Sequence, residues 1–366
     1  MAIRIGIVGC GAIANLHAAS YQKLGDRVEL VACCDVEKER ADAFVERYGF
    51  KKSYSDEKQM LEECELDAVS VCTWNSQHKP CTMLALDAGV NVLCEKPMAM
   101  NTAEALEMEE CARRNGKLLM IGFVRRHGND AATALDFINK GYLGDIYCAK
   151  VSYLRRAGFP GNWFGDKSYS GGGPLIDLGV HVIDLSRYLC GNPKPVTVFG
   201  ATFSKLGARK NLKSVVLPWE STSDVKKKEY KFDVEDFVTA MIRFDNGLLV
   251  TAEASFSLNI EKDTGNVELL GTKAGLTLSP FVLHTECNDM LADTVIRANI
   301  GEGDFFRAEM ENFVNAIEGI APCKAPAEDG VELMRILDAI YESAETGKSV
   351  CLLYTSPSPR DRSLSR

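Results

Sequence analysis

The stretch "GIVGCGAIANLH", Gly6 to His17, decides the fold. An apolar β-branched run leads into two glycines, and an amphipathic segment from Ala12 to Leu24 follows at once, which reads as strand, tight turn and helix. The spacing is G-x-G-x-x-A at Gly9, Gly11 and Ala14. Gly9 permits the turn and Gly11 lets a pyrophosphate approach the N–H groups of Ala12 and Ile13 at the positive helix end. Ala14 keeps helix and strand close. Asp35 stands at the end of the next strand candidate, 24 residues beyond Gly11, where an acid accepts hydrogen bonds from an adenine ribose. It would repel a 2′-phosphate, and neither Val36 nor Glu37 supplies an arginine, so the expected cofactor is NAD rather than NADP. The plainer alternative is that Asp35 caps a turn.

Outward from that stretch, strands "VELVACCD", "DAVSVCTW", "VNVLCEKP" and "KLLMIGF" alternate with helices over 37–48, 78–88 and 102–115, Thr102 being the expected N-cap. The pattern predicts a doubly wound parallel sheet, a Rossmann domain over 1–124. In such sheets ligands sit beyond the C-terminal strand ends. Thr73, Trp74, Asn75 and His78 fall on one such end, Glu95 and Lys96 on the next, and Arg125 after the last, so all are candidate cofactor contacts. Lys96 would point into the crevice and hold a substrate oxygen, unless it snorkels from the surface.

From about Ala149 longer strand-like runs follow one another with few helices between: "CAKVSYLRRA", "PVTVFGATFSKL", "FVTAMIRF", "GLLVTAEASFSL" and "NVELLGTKAGLTL". This predicts a second α/β domain, 125–350, with a large, mostly antiparallel open sheet. Asn246-Gly247 marks a hairpin. Asp233, Glu235 and Asp236 before it are expected to be solvated or capping. Two helices close the domain, near 305–317 and 328–343. The final "LLYTSPSPRDRSLSR", 352–366, has a Ser, Pro and Arg composition that cannot pack a core and resembles translated adapter sequence. It is expected to be a non-native disordered tail.

Composition excludes several function classes. A net charge of -9 opposes wholesale binding of a polyphosphate backbone, so no nucleic-acid partner is expected. No apolar run spans a bilayer, so no membrane partner is expected either. The start carries no export signal, and thirteen scattered cysteines without C-x-x-C spacing read as reduced core residues, which places the chain in the cytoplasm. Five dispersed histidines predict no metal site.

The remaining motif is "GGGPLIDLGVHVID", Gly171 to Asp184. If the chain is helical after Pro174, Asp177 and His181 lie one turn apart on one face, near enough to share a substrate or a proton. They could equally serve the helix dipole and the core. Together, "GCGAIANLH", "TWNSQH", "CEKP" and this segment resemble the Gfo/Idh/MocA family of nicotinamide-dependent oxidoreductases, and the similarity runs to about Val350. The resemblance implies hydride transfer between NAD and a secondary hydroxyl or ketone of a sugar, cyclitol or glycoside. It makes Lys96, Asp177 and His181 the catalytic residues. It also implies a homodimer or homotetramer built on the open sheet. His181 would take the hydroxyl proton while Asp177 orients the imidazole or grips a neighbouring hydroxyl, and the glycines would let the loop close on the nicotinamide. Arg155, Arg156 and Trp163, on the loop before the glycines, are the candidate substrate contacts, with Trp163 equally able to be core. Some relatives carry Pro where Trp74 stands, and an aromatic where His127 stands. Two other functions compete: glycoside cleavage by transient oxidation, elimination and re-reduction with retained NAD, and a non-catalytic NAD-responsive binding protein. The second needs none of the three catalytic residues.

Overall fold

A computed structural model of the chain describes residues 2–209, 231–296 and 303–352. The first third alternates β1 (Ile3–Val8), α1 (Ala12–Gln22), β2 (Val28–Cys34), α2 (Lys38–Tyr48), β3 (Lys52–Tyr54), α3 (Glu57–Glu63), β4 (Ala68–Val71), α4 (His78–Asp87), β5 (Asn91–Glu95), α5 (Thr102–Asn115) and β6 (Leu119–Gly122). All pairings are parallel and the strand order is β3-β2-β1-β4-β5-β6. The order reverses between β1 and β4, which opens a crevice at their C-terminal ends. Helices cover both faces, so β4 and β6 are buried along their whole length, with Ser70 the one polar side chain among them. The cap of α5 differs from expectation: Asn101 accepts from Glu104 N at 3.0 Å, and Thr102 is the first helical residue.

The chain continues through α6 (Asn129–Asn139), β7 (Ile146–Leu154), the short α7 (Lys167–Ser170), a π-helical turn (Leu175–Gly179), α8 (Val180–Leu189), β8 (Pro195–Phe203), β9 (Phe237–Phe244), β10 (Leu249–Ser255), β11 (Thr264–Gly271), β12 (Gly275–Thr277), β13 (Val282–Cys287), β14 (Met290–Val295), α9 (Phe305–Ile317), α10 (Ala327–Thr346) and β15 (Val350–Cys351). Its sheet has the order β14-β13-β12-β11-β7-β10-β9-β8-β15. Only the β7–β10 pairing is parallel among the described residues, so the expected open antiparallel sheet is present. The β9–β10 hairpin turns at Gly247, with Leu248 N held by Asn246 Oδ1 at 3.1 Å.

The C-terminal helices return to the first sheet, which local periodicity could not show. Arg27 Nη2 bonds Asn315 and Glu318 of the α9 end at 2.6 Å each, and Ile121 N donates to Ala325 O at 2.9 Å. The thirteen cysteines are unpaired and mostly buried, but Cys287 and Cys351 are exposed rather than core. The tail beyond Leu352 lies outside the described residues.

Candidate active site

The glycine turn is built to admit a dinucleotide. Gly9 has φ +87°, and a Cβ there would lie 2.9 Å from the Cys72 carbonyl group. Gly11 begins α1 with no side-chain cap, and nothing lies within 4 Å of where its Cβ would be. The first-turn N–H donors thus lack a side-chain cap, and the space beside Gly11 is open, which fits an anionic pyrophosphate. Asp35 is 6% exposed and accepts from Cys10 N and Glu37 N, both at 2.9 Å. It thus holds the turn, as the plainer reading of this acid expects. An arginine does reach it, from one turn further on: Arg40 Nη1 lies 3.2 Å from Asp35 Oδ2, with Nη2 2.8 Å from Glu37 Oε2. Its charge is committed to two carboxylates, which leaves the expectation of NAD standing.

Lys96 follows β5 directly, at a cis Lys96–Pro97 peptide. Its Nζ donates to Asp177 Oδ1 at 2.8 Å and to Asp177 O at 2.9 Å, so residues 81 positions apart meet across the two sheets. The segment after Pro174 is not uniformly α-helical. Asp177 sits in the π-helical turn and His181 in α8, an insertion of the kind found at functional sites. The Asp177 carboxylate goes to Lys96, not to the imidazole. His181 is half-buried and has no hydrogen-bond partner among the described residues. Burial first, and then the cations Lys96, Arg125 and Arg155, hold its pKa well below the usual 6.5. The ring is therefore unprotonated at neutral pH and has a lone pair to offer, while the surrounding positive charge weakens it as a base.

Gly171 is set by its φ of +81°, and the other two glycines by packing. A Cβ at Gly172 would lie 2.0 Å from Tyr341 Oη of α10, and one at Gly173 2.2 Å from Glu235 O. Glu235 is 7% exposed and accepts from Gly173 N at 3.0 Å, Leu175 N at 3.2 Å and Tyr341 Oη at 2.9 Å. The capping half of the expectation for this acid group fits Glu235, and the solvated half does not. Asp236 is also buried, holding Lys205 N and Gly207 N at 2.7 Å each, while Asp233 is exposed.

The other sequence candidates divide. Asn75 is tied to Ser170 O at 2.7 Å, and the Trp74 ring meets Tyr169 edge-on at 5.6 Å, so this loop abuts the glycine segment. Thr73 Oγ1 has no partner. His78 is fully buried with Nδ1 2.7 Å from Pro97 O and Nε2 3.2 Å from Thr73 O. It clamps two loops and presents no surface to a cofactor. Glu95 likewise turns inward, to His17. Arg125 pairs with Asp130 at 2.7 Å and Arg155 with Gly158 O at 2.9 Å, both close enough to His181 to lower its pKa. Arg156 is exposed and its backbone N bonds Asp263 at 2.7 Å. Trp163 is half-buried and stacks on Phe164 with centroids 4.0 Å apart. Sequence reasoning gave no role to His17, although it ends the quoted glycine motif, and none to Arg40, Glu309 or Tyr341, which carry no motif of their own.

Residues 3–123 match the model of the oxidoreductase family with the NAD-binding Rossmann fold, and residues 131–277 that of the GFO/IDH/MocA C-terminal domain. The chain is 37% identical over 351 residues to the D-glucoside 3-dehydrogenase of Escherichia coli, covering 95% of this chain and 97% of that protein. It is 26% identical over 381 residues to the levoglucosan dehydrogenase of Pseudarthrobacter phenanthrenivorans, covering 93% and 96% of the two chains. A structure of levoglucosan dehydrogenase in complex with NADH shares the fold, with a TM-score of 0.82, 23% identity and coverage of 96% and 99%. With both family models matched in order over the two sheets and a 37% identical relative along nearly the whole chain, this protein belongs to the NAD-binding GFO/IDH/MocA family of sugar and cyclitol oxidoreductases.

Proposed function

We propose that the chain oxidises a secondary ring hydroxyl of a sugar, cyclitol or glycoside, with the 3-hydroxyl of a D-glucoside as the foremost substrate. The 37% identity to a D-glucoside 3-dehydrogenase supports that substrate class. The observation that carries the chemistry is the Lys96–Asp177 pair at 2.8 Å beside an unpartnered His181. Bound NAD supplies the hydride acceptor. Lys96, positioned by Asp177, holds the reacting oxygen with its ammonium group and stabilises the negative charge that develops there. An unprotonated ring nitrogen of His181 takes the hydroxyl proton and returns it in the reverse direction. Asp177 thus acts on the lysine rather than on the imidazole. Glu235 and Tyr341 keep the glycine segment rigid against α10, and Arg155 stands ready for a second hydroxyl.

The reduced cysteines favour the cytoplasm, and no helix among the described residues is long and apolar enough to cross a membrane. The outer face of the large sheet carries Phe199, Phe203 and Met241, 37–49% exposed, which supports a homodimer or homotetramer. Mixing the protein with NAD and a panel of glucosides, free sugars and cyclitols, while following reduced-nicotinamide absorbance, tests the reading. NADH should accumulate fastest with a glucoside, and light scattering should give a multiple of 40.2 kDa. Silence with every member of the panel and bound NAD would remove the dehydrogenase reading, and a monomer mass the assembly.

A further inference from the structure

Adjacent to Lys96 but turned to other partners lies a second, fully interior cluster. His17 of α1, Glu95 of β5 and Glu309 of α9 are 0%, 6% and 0% exposed. Each offers a ligand atom, and these atoms lie within 4.8 Å of one another. His17 Nε2 is 2.8 Å from Glu95 Oε1, and Glu95 Oε2 accepts from Lys96 N at 3.1 Å. Both Glu309 oxygens and His17 Nδ1 are buried without a hydrogen-bond partner. Glu309 thus brings a second carboxylate into the buried space that Glu95 and His17 share. Uncompensated buried charges of this kind cost several kcal/mol each, so the pair calls for a countercharge.

We propose that His17, Glu95 and Glu309 form a buried binding site for one divalent first-row transition cation, with zinc the best match. Two carboxylates cancel a double positive charge, which leaves no net charge buried. All three side chains are established zinc donors, bonding at about 2.0–2.2 Å. The imidazole disfavours magnesium and calcium, which take sets of oxygen ligands. Bonds of that length place tetrahedral neighbours about 3.4 Å apart, so the His17–Glu95 contact opens by roughly half an ångström on binding. The ion would be structural. It would tie the cofactor helix, the strand end that carries Lys96, and the helix that returns from the second sheet. Sequence spacing could not reveal it, because 78 residues separate the first two ligands and Glu309 arrives only through the C-terminal return.

The test uses full-length protein stripped with a chelator, then incubated separately with zinc, manganese and magnesium chloride and passed through gel filtration. Elemental analysis should find about one zinc per chain above what Glu309→Gln retains, with zinc bound at least tenfold more weakly by that variant. A higher melting temperature should accompany zinc in the wild type only. X-ray absorption of the wild-type zinc should show nitrogen and oxygen neighbours, a readout that stands even if the variant fails to fold. Equal zinc in both proteins, sulfur ligation, or a stripped wild type that zinc neither enters nor stabilises would overturn the proposal. In the last case a proton, rather than a cation, neutralises Glu309.

Discussion

Glu95 and Lys96 are neighbours in the chain and occupy opposite electrostatic situations. Lys96 looks across to the second sheet, where Asp177 pairs with it at 2.8 Å and 14–16% of each side chain remains accessible. Glu95 looks into the first sheet, where His17 meets it in full burial and Glu309 adds a carboxylate with no partner. Successive side chains at a strand end point to different sides, so two adjacent residues can serve separate sites. The difference lies in access. The lysine side keeps its charge partner and some exposure to solvent, whereas the glutamate side is closed.

The sharpest way to break that contrast is to remove the proton acceptor on the open side. His181→Ala should lower kcat by about 10²–10⁴-fold, the range of a lost general acid–base, and leave NAD affinity within about threefold. Lys96→Met should act on kcat to a similar degree. Fluorescence titration with NADH beside steady-state rates separates the two effects. Turnover retained in His181→Ala would remove His181 from the mechanism.

A second test concerns what holds the two sheets in register around this strand end. Arg126, 1% exposed, bonds Asp184 of α8 at 2.6 and 2.9 Å and Asp329 of α10 at 2.7 Å, between the rings of Phe123 and Tyr188. Asp184 lies three residues beyond His181, so the network fixes the helix that carries His181. Arg126→Met leaves two buried carboxylates with less compensation and should cost about 3–5 kcal/mol of unfolding free energy, measured by urea titration. A loss below about 1 kcal/mol would mean that Arg187, 2.9 Å from Asp329, suffices alone.

How far the sequence went follows from the range of each interaction. The first sheet was largely legible because the longer strands, turns and helices of a parallel layer each write their own periodicity within a few residues, whereas the three-residue β3 and the short α3 escaped. Lys96, Asp177 and His181 were legible as candidates because strand ends and the glycine segment mark positions. What escaped is what three distant elements make together. Glu235 reads as one acid in a polar cluster until Tyr341 and the amides of the glycine segment close around it. His17 reads as one more residue of an amphipathic helix, and Glu309 cannot be placed until α9 is known to return. The π-helical turn escaped too, since it leaves the residue spacing unchanged while redirecting Asp177 to Lys96.

The smallest expected effect concerns His127, buried in the turn that follows β6. His127 has neither ring nitrogen bonded, and burial together with Lys324 and Arg126 depresses its pKa to about 3. An unfolded histidine titrates near 6.5. Between about pH 3 and 6.5 the unfolded chain therefore binds a proton that the folded chain refuses, and stability rises with pH through that window. Acidification from pH 6.5 should cost up to about 1.4 kcal/mol per pH unit from this residue. His78 and His181, lowered in the same direction, add to the slope. His127→Phe should keep the neutral, aromatic filling of the site and flatten the acid limb by about 1 kcal/mol per pH unit, read from urea midpoints at pH 6.5, 5.5 and 4.5. An unchanged slope would mean that the imidazole finds a proton-sharing partner or water in the folded chain. The turn after β6 would then be as open to solvent as the lysine side of β5.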